Sequence, residues 1–193
     1  MKITNIEMKK LEIPFDVSFR HASAERNCTE SILVVIVSEC GFVGYGEACP
    51  RSYVTDETIE TSEKFFQQHK FSIQRIENIQ LLRRWVEKNK DSIDANPAAW
   101  CAIELAILDL LGQAQGETVE NILALQPLTG AFRYTAVLGA NTFENFQCQL
   151  EKYAHIGFKD YKMKISGRLK NDKKNLGLLK KLVSRKNRIR VDA

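Results

Sequence analysis

The stretch DYKMKIS, residues 160–166, decides how the second half of this chain is read. It is short, rich in residues that suit a pleated strand, and bounded by Gly157 and Gly167, so it predicts a β-strand. Lys162 and Lys164 are two residues apart. On a strand they project from one face, about 7 Å from each other. The next such stretch is RIRVDA, residues 188–193, which carries Asp192 28 residues after Lys164. Residues 169–184 between them have helical periodicity. Upstream, YTAVLG at residues 134–139 predicts another strand and residues 142–156 another helix. Strands separated by helices at this spacing are the signature of parallel βαβ units. Three strands cannot close a barrel, which takes eight and roughly 250 residues.

Working back from there, the first half has a different rhythm. Residues 3–13 alternate roughly, SILVVIVS at residues 31–38 is a continuous apolar run, and FVGYGEA at residues 42–48 follows a turn signal at Gly41. These predict an antiparallel three-stranded meander. Residues 14–30 between the first two strands read as a long polar loop, the kind used as a lid or binding loop. Three helices follow. Thr55 is placed to cap the first, with Asp56 and Glu57 in its opening turn; the second covers about residues 76–90. The third starts at Asn96 and Pro97 and stops at Gly116.

The chain has 193 residues, 44% of them apolar, with no secretory signal in MKITNIEMKK and no apolar run of the ~20 residues a bilayer needs. Five cysteines, an odd number with no C-x-x-C pair, point to reduced thiols and a cytoplasmic location. The net charge of +4 is unevenly placed: residues 162–190 hold twelve Lys or Arg and one acid, Asp172. Without interleaved aromatic residues this reads as a solvated helix face, not a nucleic-acid surface, and no membrane partner is expected.

Two readings of the lysine pair stand side by side. Either the strand is an edge and both lysines sit in water, or they line a covered face where one serves as a proton-transfer base. Asp192 falls at the C-terminal end of its strand, where parallel βα folds place their active sites. A carboxylate there is a candidate ligand for a hard metal ion, although one carboxylate does not make a magnesium site.

Four motifs in order resemble the enolase superfamily, in particular its muconate-cycloisomerase-like (mandelate racemase/muconate lactonizing enzyme) subgroup. GYGEACP at residues 44–50 resembles the G-x-G-E segment of that family's capping domain, and AIELAILDLLGQAQG at residues 102–116 its Ala-rich helix. KMK resembles the lysine pair of the second barrel strand, and VDA the metal aspartate of the third. The fold implied is an α+β capping domain, residues 1–125, followed by the first three βα units of an incomplete (β/α)8 barrel, residues 126–193.

The resemblance implies a Mg²⁺-dependent isomerase, epimerase or lyase that abstracts a proton next to the carboxylate of a small-molecule substrate. Lys164 would be the acid/base, Lys162 its electrostatic assistant and Asp192 a magnesium ligand. Arg20, His21 and Arg26 in the long loop, and Tyr53 in the segment 50–55, would contact substrate. Glu47 would fix the cap by hydrogen bonds, and Glu104 and Asp109 would be structural acids. Dipeptide epimerase or cycloisomerase chemistry is implied first, with an o-succinylbenzoate synthase-like lyase as the alternative. The remaining metal ligands and the opposing acid/base of the family have no counterpart in these residues. The chain therefore reads as an N-terminal portion, inactive alone. A non-catalytic binding or assembly module is the rival reading, and unpaired strand edges favour a homo-oligomer. In one departure, ALQPLTG at residues 124–130 stands where the family has a Leu-Gly-Gly-like turn.

Overall fold

The computed structural model describes residues 2–21, 24–139 and 142–192, with residues 16–21, 24 and 25 given by backbone alone. The chain forms two units, Met1–Pro14 with Cys28–Thr129, and Phe15–Asn27 with Gly130–Ala193.

The first unit is built on three antiparallel strands, β1 (Ile3–Leu11), β4 (Ser31–Ser38) and β5 (Val43–Ala48), in the order β1-β4-β5. The intervening β2 (Pro14–His21) and β3 (Ala24–Cys28) pair with each other. In β4 the even-numbered residues Ile32, Val34 and Ile36 are fully buried, and the odd-numbered ones turn to the other face. Helix α5 (Pro97–Gln115) lies on the buried face. It approaches β5 so closely that a Cβ at Gly46 would stand 2.0 Å from the carbonyl oxygen of Ala102, and one at Gly44 2.2 Å from that of Ala106. The G-x-G spacing thus has a packing cause: two bare backbone positions on one strand face let helix backbone and strand backbone touch.

The same helix also completes the outer edge of β5. Asp109 accepts a hydrogen bond from Tyr45 N at 2.8 Å, and Gln113 Nε2 donates to Val43 O at 2.7 Å. By length and composition α5 is the one described helix that would cross a membrane. Its apolar surface is spent instead on the core, where Ala99, Ala102, Ile103, Ala106, Ile107 and Leu110 are fully buried.

The remaining helices of this unit are α1 (Ser52–Thr55), α2 (Ile59–Ile73), α3 (Ile79–Lys88), α4 (Lys90–Asp94) and α6 (Val119–Ile122). Thr55 is the last residue of α1, and the cap of α2 is Thr58, whose hydroxyl accepts from Thr61 N. The cause is Glu57, which is 2% exposed and not part of the α2 opening turn. Its carboxylate accepts from Ala98 N at 2.8 and 3.0 Å and from Ala99 N at 3.1 Å. It therefore caps α5 from 40 residues upstream, a charge well matched to a helix N-terminus. Asn96 holds the N-cap position of α5 but turns its amide back to Ser92 O. At the other end Gly116, at φ 67°, closes α5 in the left-handed conformation.

Within residues 14–30, where the sequence suggested a loop, the structure has a strand pair. β2 (Pro14–His21) and β3 (Ala24–Cys28) make a two-stranded sheet. Phe15, Val17 and Phe19 alternate with Asp16, Ser18 and Arg20, a strand period that the polar composition masked. Thr29 ties the base: its N–H donates to Ile13 O at 2.8 Å and its hydroxyl accepts from Ile13 N at 2.9 Å.

In the second unit β6 (Thr135–Leu138), β7 (Asp160–Lys164) and β8 (Arg188–Asp192) form a parallel sheet in that order, connected by α7 (Phe143–Ile156) and α8 (Leu169–Leu182). Ala136, Leu138, Tyr161 and Met163 pack against Phe146, Leu150, Leu179 and Val183 of the helical layer. The opposite face of the sheet carries Asp160, Lys162 and Lys164 of β7 and Arg188, Arg190 and Asp192 of β8.

Candidate active site

Alternation places Asp160, Lys162 and Lys164 of β7 on the face away from the helices, and the register sets Asp160 beside Arg188, Lys162 beside Arg190 and Lys164 beside Asp192. This face is charged along its whole length. At the C-terminal end of the strands, Lys162 Nζ lies 2.9 Å and Lys164 Nζ 3.4 Å from the same oxygen, Oδ2 of Asp192. The strand end is fixed by backbone, since Ile165 N donates to Asp192 O at 2.8 Å. The following turn is held to α8, with Ser166 N and Oγ both donating to Asp172 Oδ1.

The lysines are not edge residues in open water. The Lys164 side chain is 24% exposed and that of Lys162 36%, and β7 is the central strand of its sheet. Asp192 is held below the usual carboxylate range, chiefly by the hydrogen bond from Lys162; its partial desolvation opposes this, and the charge of Lys162 and the contact with Lys164 add to it. Among the described residues no group of three or more His, Cys, Asp or Glu side chains is placed to hold a metal ion; Asp192 is a single carboxylate, where magnesium takes several oxygen ligands.

At the lower end of the same face Arg188 donates to Asp160 through Nε at 2.5 Å and Nη2 at 3.2 Å, and Arg190 Nη2 donates to Thr135 Oγ1 at 2.6 Å. Asp160 is 5% exposed. Arg188 beside it, assisted by Arg133 and Arg190, keeps its carboxyl below the usual range against the effect of burial. Sequence reasoning passed over these three residues, although D-x-K-x-K and R-x-R-x-D have the period of two that assigns them to the lysine face.

Arg20 and His21 end β2, and their side chains lie outside the described residues. Arg26 is half-buried on β3 within the same unit, whereas Tyr53 sits on α1 of the other unit, 47% exposed. Glu47 is exposed on β5, and among the described residues its carboxylate has no hydrogen-bond partner; Glu57 is the acid that fixes the cap. Glu104 is half-buried on α5 with its carboxyl raised by desolvation, and Asp109 has the structural role already described. All five cysteines are free thiols.

No protein-family model matches the chain. It is 24% identical over 192 residues to an L-Lys-D/L-Arg epimerase of Methylococcus capsulatus, an alignment covering all of this chain and 53% of the relative. A solved dipeptide epimerase from the same organism, complexed with Mg and the dipeptide L-Arg-D-Lys, superposes with a TM-score of 0.86 at 24% identity over 99% of this chain and 53% of that one. The N-succinyl Arg/Lys racemase from Bacillus cereus superposes with a TM-score of 0.83 at 25% identity, covering 100% and 52%. A muconate lactonizing enzyme is also among the structural neighbours. The chain spans about half the length of the curated relatives it matches.

Proposed function

We propose, for a chain whose relatives are epimerases and racemases of the enolase superfamily, that it supplies the capping domain (about residues 1–125) and the opening barrel strands (126–193) of a Mg²⁺-dependent isomerase. The reaction would move a proton at the carbon next to a substrate carboxylate, with a dipeptide or an N-acylated amino acid as substrate. The observation that carries this reading is the convergence of Lys162, Lys164 and Asp192 at the C-terminal end of a parallel sheet.

Lys164 is the group that takes or returns the proton, and Lys162 supplies a fixed positive charge beside it. A proton next to a carboxylate is very weakly acidic until the developing negative charge has cations to face. Asp192 would supply one oxygen to the magnesium ion, which contributes positive charge at that same carboxylate. Dipeptide epimerisation is favoured over lyase chemistry by the relatives, and Arg26 is the described side chain proposed to meet the distal part of the substrate. A homo-oligomer is part of the same reading. Light scattering after gel filtration is expected to give a multiple of the protomer mass, and a monomer would remove that part.

The test is deuterium exchange at the Cα of a dipeptide panel in D2O with Mg²⁺, followed by NMR, on the protein that carries this chain. Lys164→Ala is expected to abolish exchange, a loss of about 10³-fold or more, within the span of a lost general base combined with lost positioning. Exchange that persists in this variant, or that survives chelation of magnesium, would overturn the proposal.

A further inference from the structure

We propose that the Arg188–Asp160 pair is a positioning device: by occupying Asp160, Arg188 denies that carboxylate to Lys162 and leaves the Lys162 ammonium directed at Asp192. The inference deepens the proposed function, since it concerns how the Lys162 of that site is aimed.

Lys162 lies between two carboxylates on one sheet face. Asp160 is two residues back along the same strand, about 7 Å away by strand rise. Asp192 is one strand over and two residues along, about 8 Å away on the diagonal. By reach the two are comparable, and Asp160 is the more deeply buried one, at 5% exposed. Lys162 nevertheless contacts Asp192, at 2.9 Å.

Occupancy accounts for the choice. Arg188 stands opposite Asp160 in register and engages both of its oxygens, Nε to Oδ1 and Nη2 to Oδ2. A planar guanidinium matched to a carboxylate in this way outcompetes an ammonium, which binds as a point charge. Arg190, the register neighbour of Lys162, crosses toward β6 and binds Thr135. A second guanidinium thereby lies across the lower part of the face. An ammonium turning downward would meet two cations and a carboxylate already engaged at both oxygens. The open direction is upward, where Lys164 shares the same oxygen of Asp192. Arg188 is thus a positioning residue that acts through Lys162.

The experiment removes the guanidinium and reads the lysine. In Arg188→Met the trans-hydrogen-bond coupling between Lys162 15Nζ and Asp192 13Cγ is expected to fall to half or less, because two comparable carboxylates divide a lysine about evenly. Adding Asp160→Asn removes the competitor and is expected to restore the coupling. Proton exchange on a dipeptide should follow the same order: at least a twofold loss in the single variant, and recovery in the double one. Asp160→Asn alone keeps Lys162 on Asp192 and serves as the reading if Arg188→Met does not fold; loss of the coupling there overturns the proposal. An unchanged coupling in Arg188→Met, including the case where Arg190 or Arg133 takes over Asp160, also overturns it, as does absence of rescue. If the unsubstituted protein exchanges no dipeptide proton, the proposed function fails, while the coupling still decides where Lys162 is held and why.

Discussion

Gly46→Ala adds one methyl group at the tightest place in the first unit. Its Cβ would stand 2.0 Å from Ala102 O and 2.6 Å from Ala106 N, where ordinary contact begins at 3.4 Å. Both obstacles are helix backbone and cannot rotate aside, so α5 must retreat by about 1.4 Å. Overpacking of this kind costs typically about 1 to 3 kcal/mol, and the absence of any flexible neighbour puts this case near 3 kcal/mol or above. At about 4 °C per kcal/mol for a domain of this size, the midpoint should fall by roughly 12 °C. The assay is unusually selective. Both tryptophans of the chain, Trp85 and Trp100, are in this unit and stack at 4.6 Å, so their fluorescence on heating reports it alone. Gly41→Ala is the control, because it has φ +85° but no atom near the added Cβ, and should lose only about 1 to 2 kcal/mol through backbone strain. If Gly46→Ala lost less than Gly41→Ala, the view that G-x-G exists to admit the helix would be wrong.

Glu57→Ala leaves Ala98 N and Ala99 N without their acceptor in a buried setting and should cost about 3 kcal/mol; urea titration of tryptophan fluorescence measures it, and Glu57→Gln should recover part. For the second unit, the folded carboxyl of Asp160 is depressed below 3.8 by Arg188. The unfolded chain therefore takes up this proton first as pH falls, so the stabilisation is complete above about 3.8 and is lost below it. Asp160→Asn should flatten that acid dependence in a circular-dichroism titration, and an unchanged titration would mean that the pair does not contribute.

Strong local signals made most of this architecture legible. Asn96-Pro97 and Gly116 bracket α5 as the sequence indicates, and the period of two in KMK with the 28-residue interval to Asp192 placed three side chains at one end of a parallel sheet. What escaped was set by distance in the chain. Nothing near residue 57 announces that its carboxylate caps a helix beginning 40 residues later, and two neighbouring acids after Thr55 imitate the opening turn of a different helix. Asp109 and Gln113 likewise show their purpose only once β5 lies beside them. In β2 the alternation of Phe15, Val17 and Phe19 was present, but an even mixture of charged and apolar residues makes composition and periodicity disagree, and there periodicity was right.

The contacts of Asp109 and Gln113 bear on solubility as well as on packing. An exposed strand edge is a template on which another extended chain can add, and β5 would be such an edge. Its outward N–H at Tyr45 and C=O at Val43 are already taken by side chains of α5, so an incoming peptide finds the start of the ladder occupied. At the opposite edge β1 carries Lys9 and Lys10, which are about half exposed, and a strand docking there must crowd them. Growth of this sheet into a fibril seed is therefore blocked by geometry on one side and by charge on the other, and a variant such as Asp109→Ala should reveal the first block by aggregating at protein concentrations the parent tolerates.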